Sequence, residues 1–458
     1  MSANLRNSSL LILFLFSVFL LFTNSVAAQT CDGDFIPGEV TTELTSTGVL
    51  QAVAMQYNLD PNPIDQLSPD PIYRLRILDG VSPCVRAAQM RADAQARVVA
   101  ASPNFNVKPP EGSGIILWSG GPYHFKSSAF AYKNQWAISN INLPQAHQSS
   151  RGANVIVAVL DTGIDRTHPA FVDQQTGQSR LIIVPGSDLV DNDNDPSEVF
   201  VSGSHAYGHG THAAGIIALV APQAKILPIR VLNSQGIGDD WKLVKALRLI
   251  AAYNPTGDNI KVFNMSFTEP DRSDLVESVL HKTVKRRTNV LERDNDPGIV
   301  AVVSAGNNSS NVPHFPAGEA AFEGAILSVA GYGPNNNLLF FSNFPPASPQ
   351  PRPPDWRWSW VNLMGPGYRI ISAMPGGRYG TWSGTSMASP FAAGVAALVI
   401  SKYPMNNNNF KAEDVACHII MTGFSSGSVF PPRLNANAAV TSPQRQCITP
   451  DPPSGLVK

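Results

Sequence analysis

The chain has 458 residues, a formal net charge of -1 and only 15% charged residues. A balance so near zero, with no basic stripe, argues against nucleic acid as a partner. The 38 prolines and 35 glycines are scattered through apolar segments, which excludes a disordered chain and leaves room for one large and one small domain.

The first stretch, MSANLRNSSLLILFLFSVFLLFTNSVAAQT, has an early Arg6, an apolar run from Leu10 to about Phe22 and the small-residue site Val26-Ala27-Ala28. This layout predicts a secretory signal peptide over 1–28, export, and no membrane attachment once it is cut. The apolar run is too short for an anchor. An exported chain meets an oxidising environment, so Cys31, Cys84, Cys417 and Cys447 are expected in disulfides. Four cysteines allow three pairings, and proximity in sequence favours Cys31–Cys84 with Cys417–Cys447.

From about 29 to 105, TGVLQAVAMQYNL and CVRAAQMRADAQA have helical spacing, while IYRLRILDG and RVVAASPNF read as strands. That pattern predicts a small α+β domain. It is followed by KPPEGSGIILWSGGPYHFKSS, a Pro-, Gly- and Ser-rich linker of the kind a protease cuts. The domain and its linker are placed at 29–125.

Between 126 and 441 the apolar runs ANVIVAVLD, AKILPIRVL, NIKVFNMSF and GIVAVVSAGN alternate with the helical stretches HGTHAAGIIALV and DDWKLVKALRLIAAY. Continuous apolar runs suit strands buried on both faces, so a doubly wound, mostly parallel α/β sheet flanked by helices is expected, with its site at the strands' carboxyl ends. PPASPQPRPPDWRWSW (345–360) and KRRTNVLERDNDPG read as surface loops, and 442–458 as a Pro-rich tail.

Three polar residues stand at the ends of these buried elements. Asp161 closes VIVAVL, His209 opens HGTHAAG, and Ser386 opens TSMASPFAAGVAAL. Each alone has a plain structural role as a turn or cap residue. Together they are an acid, a base and a hydroxyl, in the order Asp, His, Ser. VLDTGIDRTHP, GHGTHAAG, SAGNN and GTSMASP, in that order, resemble the aspartate, histidine, oxyanion and serine motifs of the subtilisin-like serine proteases, the subtilases.

The resemblance implies a serine endopeptidase acting on proteins or peptides without a catalytic cofactor. Ser386 would be the nucleophile, His209 its base and Asp161 the group that orients the base. Asn307 and the Ser386 backbone N–H would form the oxyanion hole. Pro390 is expected in the first turn of its helix, where it would cost no hydrogen bond. The segments Gly236-Ile237-Gly238 and Ser266-Phe267-Thr268 would hold the substrate backbone. Thr268 and Glu269 replace the family's usual glycines, and with His314 at the back they should narrow or polarise the pocket beside the scissile bond.

DLVDNDNDPSE resembles the calcium loop of thermitase-like subtilases, implicating Asp188, Asp191 and Asp193 as ligands of a structural Ca²⁺. A second family calcium site lacks its aspartate, because Ala170 stands there. The layout also implies a propeptide at 29–125 that caps the site as an intramolecular inhibitor until it is cut between about 105 and 132. A monomer is expected. Two other functions fit fewer residues: a catalytically silent subtilase fold used for binding, and a zinc hydrolase built on His209 and His212. The latter lacks the general-base glutamate of a His-Glu-x-x-His motif.

Overall fold

The computed structural model describes residues 33–109, 127–173, 175–253, 260–285, 296–346, 359–406, 409–425 and 430–445. The signal segment, Cys31, Cys447, the linker 110–126, most of the Pro/Trp loop and the end of the tail lie outside them.

The N-terminal domain is built from β1 (Phe35–Leu44), α1 (Leu50–Gln56), β2 (Asp65–Leu67), β3 (Ile72–Arg76), α2 (Pro83–Arg91) and β4 (Val98–Val107). Its sheet runs in the order β2-β3-β1-β4 with antiparallel pairing. One face packs on α1 and α2 around Val40, Leu44, Val53, Leu75, Ala87 and Met90. β1 is not foreseen by sequence pattern: FIPGEVTTEL carries Pro37 and Gly38 and is held as a central strand by β3 on one side and β4 on the other.

The larger domain continues through α3 (Ala129–Lys133), α4 (Trp136–Asn140), α5 (Leu143–Ala146), β5 (Ile156–Asp161), α6 (His209–Val220), β6 (Lys225–Arg230), β7 (Gly238–Asp239) and α7 (Asp240–Ala252). Next come β8 (Ile260–Met265), α8 (Asp274–Val284), β9 (Val300–Ser304), β10 (Ile326–Tyr332), β11 (Leu363–Pro366), β12 (Ile370–Met374) and β13 (Arg378–Trp382). The helices α9 (Thr385–Lys402), α10 (Ala412–Met421) and α11 (Ala436–Thr441) close the domain. Six strands form one parallel sheet, ordered β11-β10-β9-β8-β5-β6. The four predicted strand runs are neighbours in it, as β9, β8, β5 and β6, with β6 last in the order, and all of β5 and β9 is buried.

α9 is enclosed along nearly its whole length, with Thr385 through Ile400 all buried. Its small residues let it approach α6: a Cβ on Gly394 would lie 2.5 Å from Val220 Cβ. That closeness fixes the start of α9 relative to the start of α6, which carry Ser386 and His209.

The two domains share a surface. α7 and α8 lie against β4, and ion pairs seal the edges: Asp65–Lys245 at 3.1 Å, Arg91–Asp274 at 3.2 Å, Asp70–Arg248 and Glu43–Lys282. Among the described residues no helix is long and apolar enough to cross a membrane.

Candidate active site

Asp161 ends β5, where a parallel strand delivers its last side chain to the sheet's carboxyl edge. Its Oδ1 lies 2.7 Å from His209 Nδ1, and both side chains are only 1% exposed. The same Oδ1 accepts the Thr162 amide at 2.8 Å. His209 is the first residue of α6, and Gly208 caps that helix with φ +91°, a conformation that favours glycine.

Ser386 lies in the first turn of α9, fully buried. Its Oγ donates to the Ser266 carbonyl at 3.1 Å. Trp382, four residues earlier, lies against the His209 ring at 5.3 Å between centroids, so the start of α9 is brought up to the histidine. Pro390 is not in the first turn as the sequence suggests. It is the sixth residue of α9 and removes the amide that would bond the Ser386 carbonyl. That carbonyl accepts the Ser266 hydroxyl instead, at 3.1 Å, so no buried acceptor is orphaned.

Asn307 follows β9 and is fully buried. Its Oδ1 accepts from both the amide and the hydroxyl of Thr385 at 3.0 Å. The Thr385 amide can only donate, so it decides which end of the Asn307 side-chain amide is oxygen and leaves the NH₂ end as a donor.

The chain's own β4 and the residues after it reach both predicted substrate segments. β4 pairs antiparallel with β7, Val107 opposite Gly238, and the Thr268 amide donates to the Lys108 carbonyl at 3.0 Å. Pro109 then packs on Gly236, where an added Cβ would come within 3.0 Å of its ring. Ile237 is 39% exposed at the rim, while Ser266 and Phe267 are buried. His314, half-buried, lies near Gly306, and burial lowers its pKa. Glu269 is buried with its carboxyl against that of Asp240, which in turn meets the Phe105 amide.

The acidic loop meets a cationic side chain of the chain itself. Asp188, Asp191 and Asp193 do not gather around one point. Arg230 bridges Asp188 at 2.7 Å and Asp191 at 2.5 Å, and Asp193 accepts the Asp195 amide. A guanidinium thus supplies positive charge to two of the three carboxylates. At the second calcium position the buried Arg180 donates to the carbonyls of Ala170 and Ala221.

The two histidines of a zinc alternative have separate partners, His212 Nε2 meeting the Ile370 carbonyl at 3.1 Å. Among the described residues, the one acid/histidine cluster of metal-binding dimensions is Glu277, His281 and Glu319, and Arg272 already pairs with both glutamates.

Glu198 was missed by sequence reasoning. It ends the acidic loop, yet accepts from the Gly208 amide, the Thr211 amide and hydroxyl, and Thr162 Oγ1, all at 3.1 Å. It ties the loop after Asp161 to the start of α6, and burial raises its pKa. Only its proximity to the histidine motif could have pointed to it.

The model of the "Subtilase family" matches residues 152–444. This chain belongs to the subtilase family. It is 32% identical to Subtilisin E of Bacillus subtilis over 289 residues, which span 61% of this chain and 64% of that relative. Thermitase of Thermoactinomyces vulgaris is 31% identical over 319 residues, 67% of this chain and 95% of the relative. The crystal structure of fervidolysin from Fervidobacterium pennivorans shares the fold, with a TM-score of 0.66, 22% identity, and coverage of 91% of this chain and 63% of that one. In this subtilase the family's four motifs therefore fall on the sheet edge and helix starts described above. Neither Cys84 nor Cys417 is a free thiol.

Proposed function

We propose that this chain is a secreted serine endopeptidase made as a self-processing zymogen, with Asp161, His209 and Ser386 as its triad. The observation that carries this is the buried 2.7 Å pair of His209 and Asp161 beside the start of α9, in a chain of the subtilase family. Ser386 Oγ attacks the substrate carbonyl while His209 takes its proton, and Asp161 steadies the imidazolium. His209 returns that proton to the leaving amine, the C–N bond breaks, and water then hydrolyses the acyl-enzyme through the same base. The Asn307 amide and the Ser386 N–H bind the oxyanion where the dipole of α9 favours negative charge.

The N-terminal domain acts as the intramolecular inhibitor. Its strand β4 and the two residues after it engage both cleft walls, which denies them to other peptides. Because the chain is engaged through Pro109, the cut falls beyond that residue. Export follows the signal layout at 1–28, and in the exported protein Cys31–Cys84 and Cys417–Cys447 are the disulfides. The substrates are proteins or peptides.

The test is a fluorophosphonate probe applied to the secreted protein and to Ser386→Ala, with N-terminal sequencing of both. Labelling and shortening of the parent alone, unchanged by EDTA, supports the proposal. A parent that is neither labelled nor shortened overturns it.

A further inference from the structure

Trp382 is the last residue of β13 and is 9% exposed, an enclosed place for so large a ring. It pairs across the hairpin with Ile370, whose carbonyl meets His212 Nε2 at 3.1 Å. The hairpin is tied to α6 a second time, because Ser372 Oγ donates to the His212 carbonyl at 2.7 Å. Between these anchors the indole touches both histidines of α6. It meets His209 at 5.3 Å with planes at 90°, and His212 at 5.7 Å with planes at 77°.

Perpendicular aromatic pairs are favoured because the positive edge of one ring meets the negative face of the other. A cation within about 6 Å of such a face is attracted further, more so where water is excluded. The two contacts of Trp382 differ in kind. Burial, and secondarily His209 itself, pull the His212 pKa down to about 3, so His212 stays neutral. His209 has a carboxylate partner and is the ring that would gain a charge. The charged or titratable groups around it are Asp161 on β5, His212 one turn along α6, and Glu198 beyond Thr162.

We propose that Trp382 is a positioning residue for His209: its indole fixes the plane of the imidazole and stabilises the imidazolium formed when Ser386 gives up its proton. The inference rests on the proteolytic reading above. It adds a group that acts through the base. It also explains why a large aromatic ring is enclosed four residues before the nucleophile.

The experiment compares the full, self-processed protein with Trp382→Leu and Trp382→Phe on a short chromogenic peptide, recording kcat, KM and the pH profile of kcat/KM. The expected result for Trp382→Leu is a kcat about tenfold lower with KM within about twofold, and an acid limb moved down by about half a pH unit. Trp382→Phe should recover most of both. A rise in KM alone, with kcat and the acid limb as in the parent, overturns the proposal and makes Trp382 a wall of the cleft. So does a phenylalanine variant no better than the leucine one. If thermal melting shows that Trp382→Leu does not fold, Trp382→Phe and Trp382→Tyr decide: kcat within about threefold of the parent supports the proposal, and a loss beyond tenfold overturns it. A parent that cleaves nothing and leaves Ser386 unlabelled fails the proteolytic reading itself, a result distinct from any of these.

Discussion

Asp161 Oδ1 and His209 Nδ1 stand 2.7 Å apart, both enclosed, although 48 residues separate them in sequence. A carboxylate in that place fixes which ring nitrogen carries the proton and leaves Nε2 as the base. Asp161→Asn should lower kcat by about 10⁴-fold with little change in KM, because geometry survives while the tautomer is lost. Steady-state kinetics on a peptide substrate checks this, and a variant within tenfold of the parent would contradict it.

Asn307 is oriented by two donors from Thr385, at 3.0 Å each. Asn307→Ala should cost about 10²–10³-fold in kcat, the usual loss on removing one oxyanion donor, and leave substrate affinity nearly unchanged. If KM carried the effect, the amide would be a ground-state contact.

The acid pair beneath β4 predicts a pH-dependent grip of the N-terminal domain. Burial pushes Asp240 up to about 7, with Asp239 adding to it, and pushes Glu269 well above the ordinary carboxylate range, with Asp240 and Asp271 adding to it. Raised values mean that the protonated forms are linked to the covered state. The stabilisation is full below about pH 4, declines as pH rises toward 7 and is lost above the raised pKa values. Thermal unfolding of full-length Ser386→Ala from pH 5 to 8 should show a falling Tm, flattened by Asp240→Asn with Glu269→Gln. A Tm that rises across this range would refute it.

Arg230 holds the buried Asp188 and its neighbour Asp191. Arg230→Ala should destabilise by roughly 3–5 kcal/mol, since it leaves a carboxylate buried without its partner. Arg230→Met with Asp188→Asn should restore most of that loss in denaturant melts. No recovery would mean that the charge was not the cause.

Gly394 lies where a Cβ would come 2.5 Å from Val220 Cβ. Gly394→Val should cost about 1–3 kcal/mol by overpacking α9 on α6 and lower activity by shifting Ser386 from His209. Val220→Ala in the same chain should return part of both, measured as Tm and kcat together.

The sheet was legible in the sequence because its central strands are buried on both faces, and ANVIVAVLD or GIVAVVSAGN has few other ways to be stable. Asp161 and Asn307 stood out because each follows such a run, His209 and Ser386 because each opens an apolar helical stretch, and all four because their motifs resemble those of the family. β1 was not: FIPGEVTTEL becomes a strand only because β3 and β4 flank it on both sides. Glu198 and Trp382 were hidden for a like reason, since their partners are 10 or more positions away on other elements.

The order of apolar runs and the residues that close them determined the class of the domain and the chemistry its edge can support. They did so because burial and period are local properties of a segment. Which polar groups meet from within was decided by folding alone: Arg230 against Asp188, Asp240 against Glu269, the Ser266 hydroxyl in place of the amide that Pro390 lacks. A hydrogen bond or ion pair is settled within a few ångströms, and only the packing of α6, α9 and β4 brings such distant residues into that range.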